Sequence, residues 1–202
     1  MPNTSDSYQE ITSMSRSRVY IVHGYLASPQ DHWFPWLETE LAKLHVQATT
    51  LPMPRSDQPH GPTWARFIAE RIQAPDEHTY FVGHSLGCIC ILRYLETLRH
   101  VNRVGGLILV SGFIDRVEQL PQLDEFTADR IDAQRLIDIA PQRTVVASTD
   151  DSIVPYVHSA TLAQRLEAKL CVVRGGGHFL ASDGFTEFPE VMKELTEMVG
   201  VA

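Results

Sequence analysis

The chain is poor in cysteine. Its 202 residues hold three, Cys88, Cys90 and Cys171, an odd and low number that excludes a disulfide framework and suits a reducing compartment. Cys88 and Cys90 stand two apart, so on a helix they point about 200° away from each other and cannot grip one metal together. They read as small buried apolar residues. No apolar stretch reaches the 18 residues that a bilayer span needs, and the polar, Ser/Thr-rich first 16 residues lack the apolar core of a secretory signal. Those residues are expected to form a flexible tail, and the protein to be cytoplasmic. Clusters of Lys or Arg are also missing. With a formal net charge of −8, the surface repels nucleic acid and disfavours a strongly anionic substrate.

What is present is ordinary globular material. Hydrophobic residues make up 44% of the chain and charged ones 21%, enough for one core. The length fits a single domain, expected over 17–202. Six short apolar runs recur, at Val19–Val22, Val46–Leu51, Thr79–Val82, Gly106–Val110, Thr144–Ala147 and Leu170–Val173. They are continuous rather than alternating, which marks strands covered on both faces, as in a parallel sheet. Between and after them lie segments with helical apolar spacing: Trp33–Leu44, Trp64–Ile72, Leu86–Leu98, Ile131–Ile139, Pro155–Leu166 and Phe188–Val199. This alternation predicts a doubly wound α/β sheet. Two stretches read as irregular. Leu51–Pro62 has four prolines and a glycine, and Ile114–Arg130 is acidic but dotted with Leu120, Leu123 and Phe126. Such long loops often overhang a binding site.

Gly83-His84-Ser85-Leu86-Gly87 matches G-x-S-x-G. Three fixed positions arise by chance in roughly 5–10% of chains this long, so the setting decides. The motif follows the run Tyr80-Phe81-Val82 directly and precedes the helical pattern Ile89, Leu92, Leu95. A sharp strand-to-helix turn there would push Ser85 out ahead of a helix N-terminus, whose free N–H groups favour a developing negative charge. The competing reading is a glycine-rich turn with an N-capping serine.

A serine hydroxyl needs a base. His84 adjoins Ser85, and neighbouring side chains diverge. His23 follows the first strand and reads as a loop-shaping residue. His178, in Gly175-Gly176-Gly177-His178-Phe179, follows the last strand and so reaches the same sheet edge as Ser85. The base needs a carboxylate to fix its tautomer. Asp150 and Asp151 both follow the fifth strand, and spacing alone does not choose between them. One of them could cap the turn into Pro155, which suits the first position of a helix. Oxyanion donors are expected from the backbone N–H groups of Leu86, after the nucleophile, and Tyr25, after the first strand. With strand order 2-1-3-4-5-6 both would border the crevice where open α/β sheets bind ligands.

These stretches, with His32-Trp33-Phe34-Pro35-Trp36-Leu37 and Ser148-Thr149-Asp150-Asp151-Ser152-Ile153-Val154-Pro155, resemble the small α/β-hydrolases related to retinoblastoma-binding protein 9 and their bacterial relatives. The resemblance covers residues 18–199. It implies a six-stranded core without a cap domain and carries the nucleophile onto Ser85, the base onto His178 and the acid onto Asp151, four residues before Pro155. One departure is Ser152, where the family often has proline. His32, Trp33 and Trp36 belong to the resemblance without a chemical role. Trp33 and Trp36 fit core packing, and Trp64 fits either core or pocket wall. The expected function is hydrolysis of a small ester, thioester or amide through an acyl-enzyme, with no metal or other cofactor and with short or medium acyl groups. An acyltransferase using the same residues, or a non-catalytic protein-binding module whose partner is unidentified, are the alternatives.

Overall fold

The computed structural model describes residues 17–99 and 103–201. The expected N-terminal tail, residues 1–16, lies outside the described residues. Six strands, β1 (Arg18–Val22), β2 (Gln47–Leu51), β3 (Thr79–His84), β4 (Gly106–Val110), β5 (Arg143–Ser148) and β6 (Lys169–Val173), form one sheet. Its order is β2-β1-β3-β4-β5-β6, and every neighbouring pair is parallel. Helices α1 (Phe34–Lys43), α2 (Gly61–Arg71), α3 (Leu86–Thr97), α4 (Ala133–Ile139), α5 (Tyr156–Arg165) and α6 (Pro189–Val199) make the connections and close the chain.

Alternate residues of the central strands serve two cores. Ile21, Val82, Ile108 and Val110 pack with Trp33, Phe34 and Leu37 by α1 and with Val191 and Leu195 of α6. Val22, Phe81, Leu107 and Leu109 pack on the other face with Trp64 of α2, Ile89 and Leu92 of α3, and Leu162 of α5. Full burial of such a side chain stabilises by roughly 1.5–3 kcal/mol, so the centre of the sheet is its strongest part. Trp33 and Trp64 are both completely buried, the latter donating from Nε1 to the Pro54 carbonyl. Trp36 is only partly buried against its core.

The expectation of strands covered on both faces holds for β3 and β4 and fails at the edges. β2 exposes Gln47 and Thr49, and β6 leaves Leu170 and Val172 open to solvent. An edge strand has one neighbour and less helix above it, which a run of apolar residues cannot announce. The proline-rich stretch is also shorter than its composition suggested. Its last two residues, Gly61 and Pro62, already belong to α2, because proline is well suited to a first helical turn. Ile114–Arg130 contains a 3₁₀ turn, Pro121–Thr127, whose Leu123 and Phe126 are buried. Pro155 sits one residue ahead of α5. Among the described residues no helix is long and apolar enough to cross a membrane.

Because all six strands run the same way, the loops after β1, β3, β4, β5 and β6 emerge at one edge. That edge carries the candidate site.

Candidate active site

Ser85 occupies the single residue between β3 and α3, with φ 54° and ψ −120°. A non-glycine residue at positive φ is strained, and such strain gathers at functional sites. Close approach of chain segments enforces it. A Cβ on Gly87 would lie 2.0 Å from the carbonyl oxygen of Val22, so only glycine lets α3 sit against β1. A Cβ on Gly24 would come within 3.0 Å of Ser85 Cβ. Other side-chain-bearing residues around this edge also have positive φ, among them Leu26, His32, Ser111 and Phe179.

The loop after β6 brings His178 to the same edge. Its Nδ1 donates to Asp151 Oδ2 over 2.8 Å, and both side chains are buried. The carboxylate is fully engaged. Oδ2 also accepts from the Ser111 hydroxyl at 2.7 Å, and Oδ1 accepts from the N–H groups of Ile153 and Val154 at 2.9 and 2.8 Å. With Nδ1 donating to the acid, a neutral His178 ring has Nε2 bare. The Ser85 hydroxyl makes no hydrogen bond to any described residue, His178 included. Such bonds often tighten only when substrate is bound.

Asp150 goes elsewhere. It accepts from the Ser148 hydroxyl and, at 3.4 Å, from the Gly177 N–H, while Ser148 Oγ accepts from Gly176 N–H at 3.0 Å. The Ser148 hydrogen bond holds the Asp150 carboxyl below its ordinary value. Of the two aspartates, then, one holds the histidine ring and the other holds the glycine loop that carries it. Asp183 braces the far side, its Oδ2 accepting from the N–H groups of His178 and Leu180 at 2.9 and 3.0 Å.

Tyr25 follows β1 and Leu86 opens α3. Neither backbone N–H has a partner among the described residues, so both are free to donate. His23 is occupied: Met53 N–H donates to its Nε2 at 3.1 Å and its Nδ1 donates to the Gly24 carbonyl at 2.9 Å. Burial lowers its affinity for a proton. It ties the loop after β1 to the loop after β2, as its position suggested. Cys88 and Cys90 are buried and free, and burial pushes both thiols up, away from thiolate chemistry.

A cavity of about 520 Å³ opens over these groups. Ser85 and His178 line it with Tyr25, Leu26, Leu120, Ile153 and Leu180, and with the polar Asp31 and His32. Leu120 comes from the acidic stretch after β4, which overhangs the site as expected.

Comparison with known proteins gives this arrangement a family. The sequence profile of the serine hydrolase family matches residues 19–197. The chain belongs to the serine hydrolase family. It is 48% identical over 179 residues to the YdeN hydrolase of Bacillus subtilis, covering 89% of this chain and 94% of that one. It is 28% identical to the serine hydrolase RBBP9 of Rattus norvegicus, covering 83% and 86%. The crystal structure of the B. subtilis ydeN product superposes with a TM-score of 0.89 at 46% identity, covering 91% of this chain and 99% of that one. The sheet order and these neighbours make the fold that of an α/β-hydrolase.

Three members of the site escaped the sequence. Ser111 is invisible because nothing marks the residue after a buried strand as polar and functional. Asp183 lies in a short 3₁₀ turn, Ala181–Asp183, with no pattern of its own. His84 was set aside because its side chain diverges from Ser85. That divergence sends it under His178 instead, where its Nε2 donates to the His178 carbonyl at 2.9 Å.

Proposed function

We propose that the protein hydrolyses a carboxylic ester, thioester or amide through an acyl-enzyme on Ser85. The observation that carries this reading is the Asp151–His178 hydrogen bond of 2.8 Å, made at Nδ1. It leaves Nε2 without a proton at the edge that presents Ser85. Ser85 Oγ attacks the carbonyl carbon as its proton passes to Nε2. The Tyr25 and Leu86 N–H groups take the oxyanion. Collapse breaks the bond to the leaving group, which receives the proton from His178. Water then gives a proton to Nε2 and attacks the acyl carbon, and Ser85 leaves with that proton. Asp151 stays ionised and stabilises the imidazolium.

The cavity of about 520 Å³ suits a small acyl substrate. Its largely aliphatic wall supports short or medium acyl groups. The test is labelling by a fluorophosphonate. Wild-type protein is expected to be labelled at Ser85, and Ser85→Ala to be blank. Folded wild-type protein that stays unlabelled, or Ser85→Ala labelled equally, sinks the reading.

A further inference from the structure

His32 belongs to the site without belonging to the chemistry just described. Its backbone is left-handed, φ 55°, a conformation that histidine tolerates better than most residues but that still carries strain. A tight turn precedes it, in which Ser28 N–H donates to Asp31 Oδ2 at 2.7 Å. The residue lines the cavity with Ser85 and His178.

Its tautomer follows from one bond. The Ala181 N–H donates to His32 Nδ1 at 3.0 Å. A backbone N–H can only donate, so Nδ1 is bare and a neutral ring holds its proton on Nε2. Burial lowers the proton affinity of His32 below the ordinary value of 6.5, against the pull of Asp31, so the ring is neutral at pH 7. Among the described residues nothing accepts from Nε2–H. Asp31 also lines the cavity, and its Oδ1 has no partner among the described residues. The cavity wall thus offers a donor on His32 and an acceptor on Asp31 among the apolar Tyr25, Leu26, Leu120, Ile153 and Leu180. A hydroxyl, which both accepts and donates, satisfies such a pair.

Position decides which part of the substrate meets them. His32 and His178 line the same cavity, and both rings lie against the His84 ring, with centroids 5.7 and 5.0 Å from it. In the proposed reaction His178 is the group that returns a proton to the leaving alcohol. Side chains beside it flank the alcohol portion rather than the acyl chain.

We infer that His32 is a specificity residue whose Nε2–H binds a second oxygen on the leaving group, and that the preferred substrates are esters of hydroxylated alcohols. The inference rests on the acyl-enzyme reading of Ser85.

The experiment compares 2-hydroxyethyl butyrate with propyl butyrate, which differ by a terminal hydroxyl in place of a methyl. Their ratio of kcat/KM is read in wild type and in variants, so that the intrinsic reactivities of the two esters cancel. His32→Asn keeps an oxygen for the Ala181 N–H and tolerates positive φ, but has no donor at the Nε2 position. The ratio is expected to fall about five- to tenfold in His32→Asn, the worth of one hydrogen bond, and to recover in part in His32→Gln, whose amide reaches further. A ratio equal in wild type and His32→Asn overturns the inference. So does a preference for the 2-aminoethyl ester that survives His32→Asn, which assigns selection to Asp31 alone. Wild type that labels at Ser85 but hydrolyses neither ester removes the role of His32 and leaves the acyl-enzyme standing. Failure to label Ser85 removes the acyl-enzyme itself.

Discussion

His84 Nε2 donates to the backbone carbonyl of His178 across 2.9 Å, so the residue before the proposed nucleophile grips the main chain of the proposed base. The ring is buried at the floor of the cavity, and burial together with the neighbouring His178 keeps it neutral. His84→Leu leaves a buried carbonyl unpaired, at a cost of about 1–3 kcal/mol. Denaturant unfolding should show that loss, and kcat should fall more than KM rises, because the proposed base moves while the apolar wall of Tyr25, Leu26, Leu120, Ile153 and Leu180 stays. His84→Gln, which can still donate, should recover part of both.

The two aspartates after β5 should separate cleanly. Asp151→Asn takes the acceptor from His178 Nδ1 and should lower kcat by on the order of 10⁴, the scale known for serine-protease triads. Asp150→Ala removes a support of the glycine loop at an exposed position, and should cost less than about a hundredfold through misplacement alone. Steady-state rates on a p-nitrophenyl ester measure both. A larger loss in Asp150→Ala would reverse the assignment.

Two glycines packed close to the Ser85 turn, Gly87 and Gly24, should fail in different ways. Gly87→Ala places a methyl 2.0 Å from a main-chain oxygen of β1, a contact that only movement of α3 can relieve, so little folded protein is expected on expression. Gly24→Ala meets Ser85 Cβ at 3.0 Å and Oγ at 3.5 Å. It should fold, by its circular dichroism, yet label with fluorophosphonate at least tenfold more slowly, as a small misplacement of a nucleophile does.

Acid should destabilise the protein earlier than its carboxylates alone would dictate. His23, His32 and His84 all hold a proton less well in the folded chain than at their ordinary value of 6.5, in each case chiefly through burial. The unfolded chain therefore takes up protons that the folded one refuses as pH drops below about 6.5. Stability from these groups is complete above that pH and declines below it. Thermal scans at pH 8, 6.5 and 5 should show a flat upper interval and a falling lower one. The fall should shrink in His84→Gln.

How much of this was legible in the sequence depends on what each element is buried against. The β3–Ser85–α3 unit was readable because strand, glycines and helix are contiguous and all buried. Gly106–Val110 was delimited to the residue for the same reason. The bounds of α1 came within one residue at each end, whereas α2 begins three residues earlier than expected, at Gly61-Pro62, where proline starts a helix as readily as it ends a loop. Long-range hydrogen bonds leave no local trace. Asp151 could be chosen over Asp150 only by resemblance, since adjacent carboxylates look alike until Ser111 and His178 are brought to one of them. His32 was visible as a residue and unreadable as a group, because its tautomer is set by Ala181, 149 positions away.

The strand order has a consequence in time. Ser85, between β3 and α3, and the N–H groups of Tyr25, after β1, and Leu86, at the start of α3, all lie in the first half of the chain. Asp151 and His178 follow β5 and β6, which join the sheet at its far edge and leave the ribosome late. A nascent chain therefore carries the turn at Ser85 before it carries the proposed base. Under the proposed mechanism, the reaction awaits the last strand of the sheet and the loop that follows it.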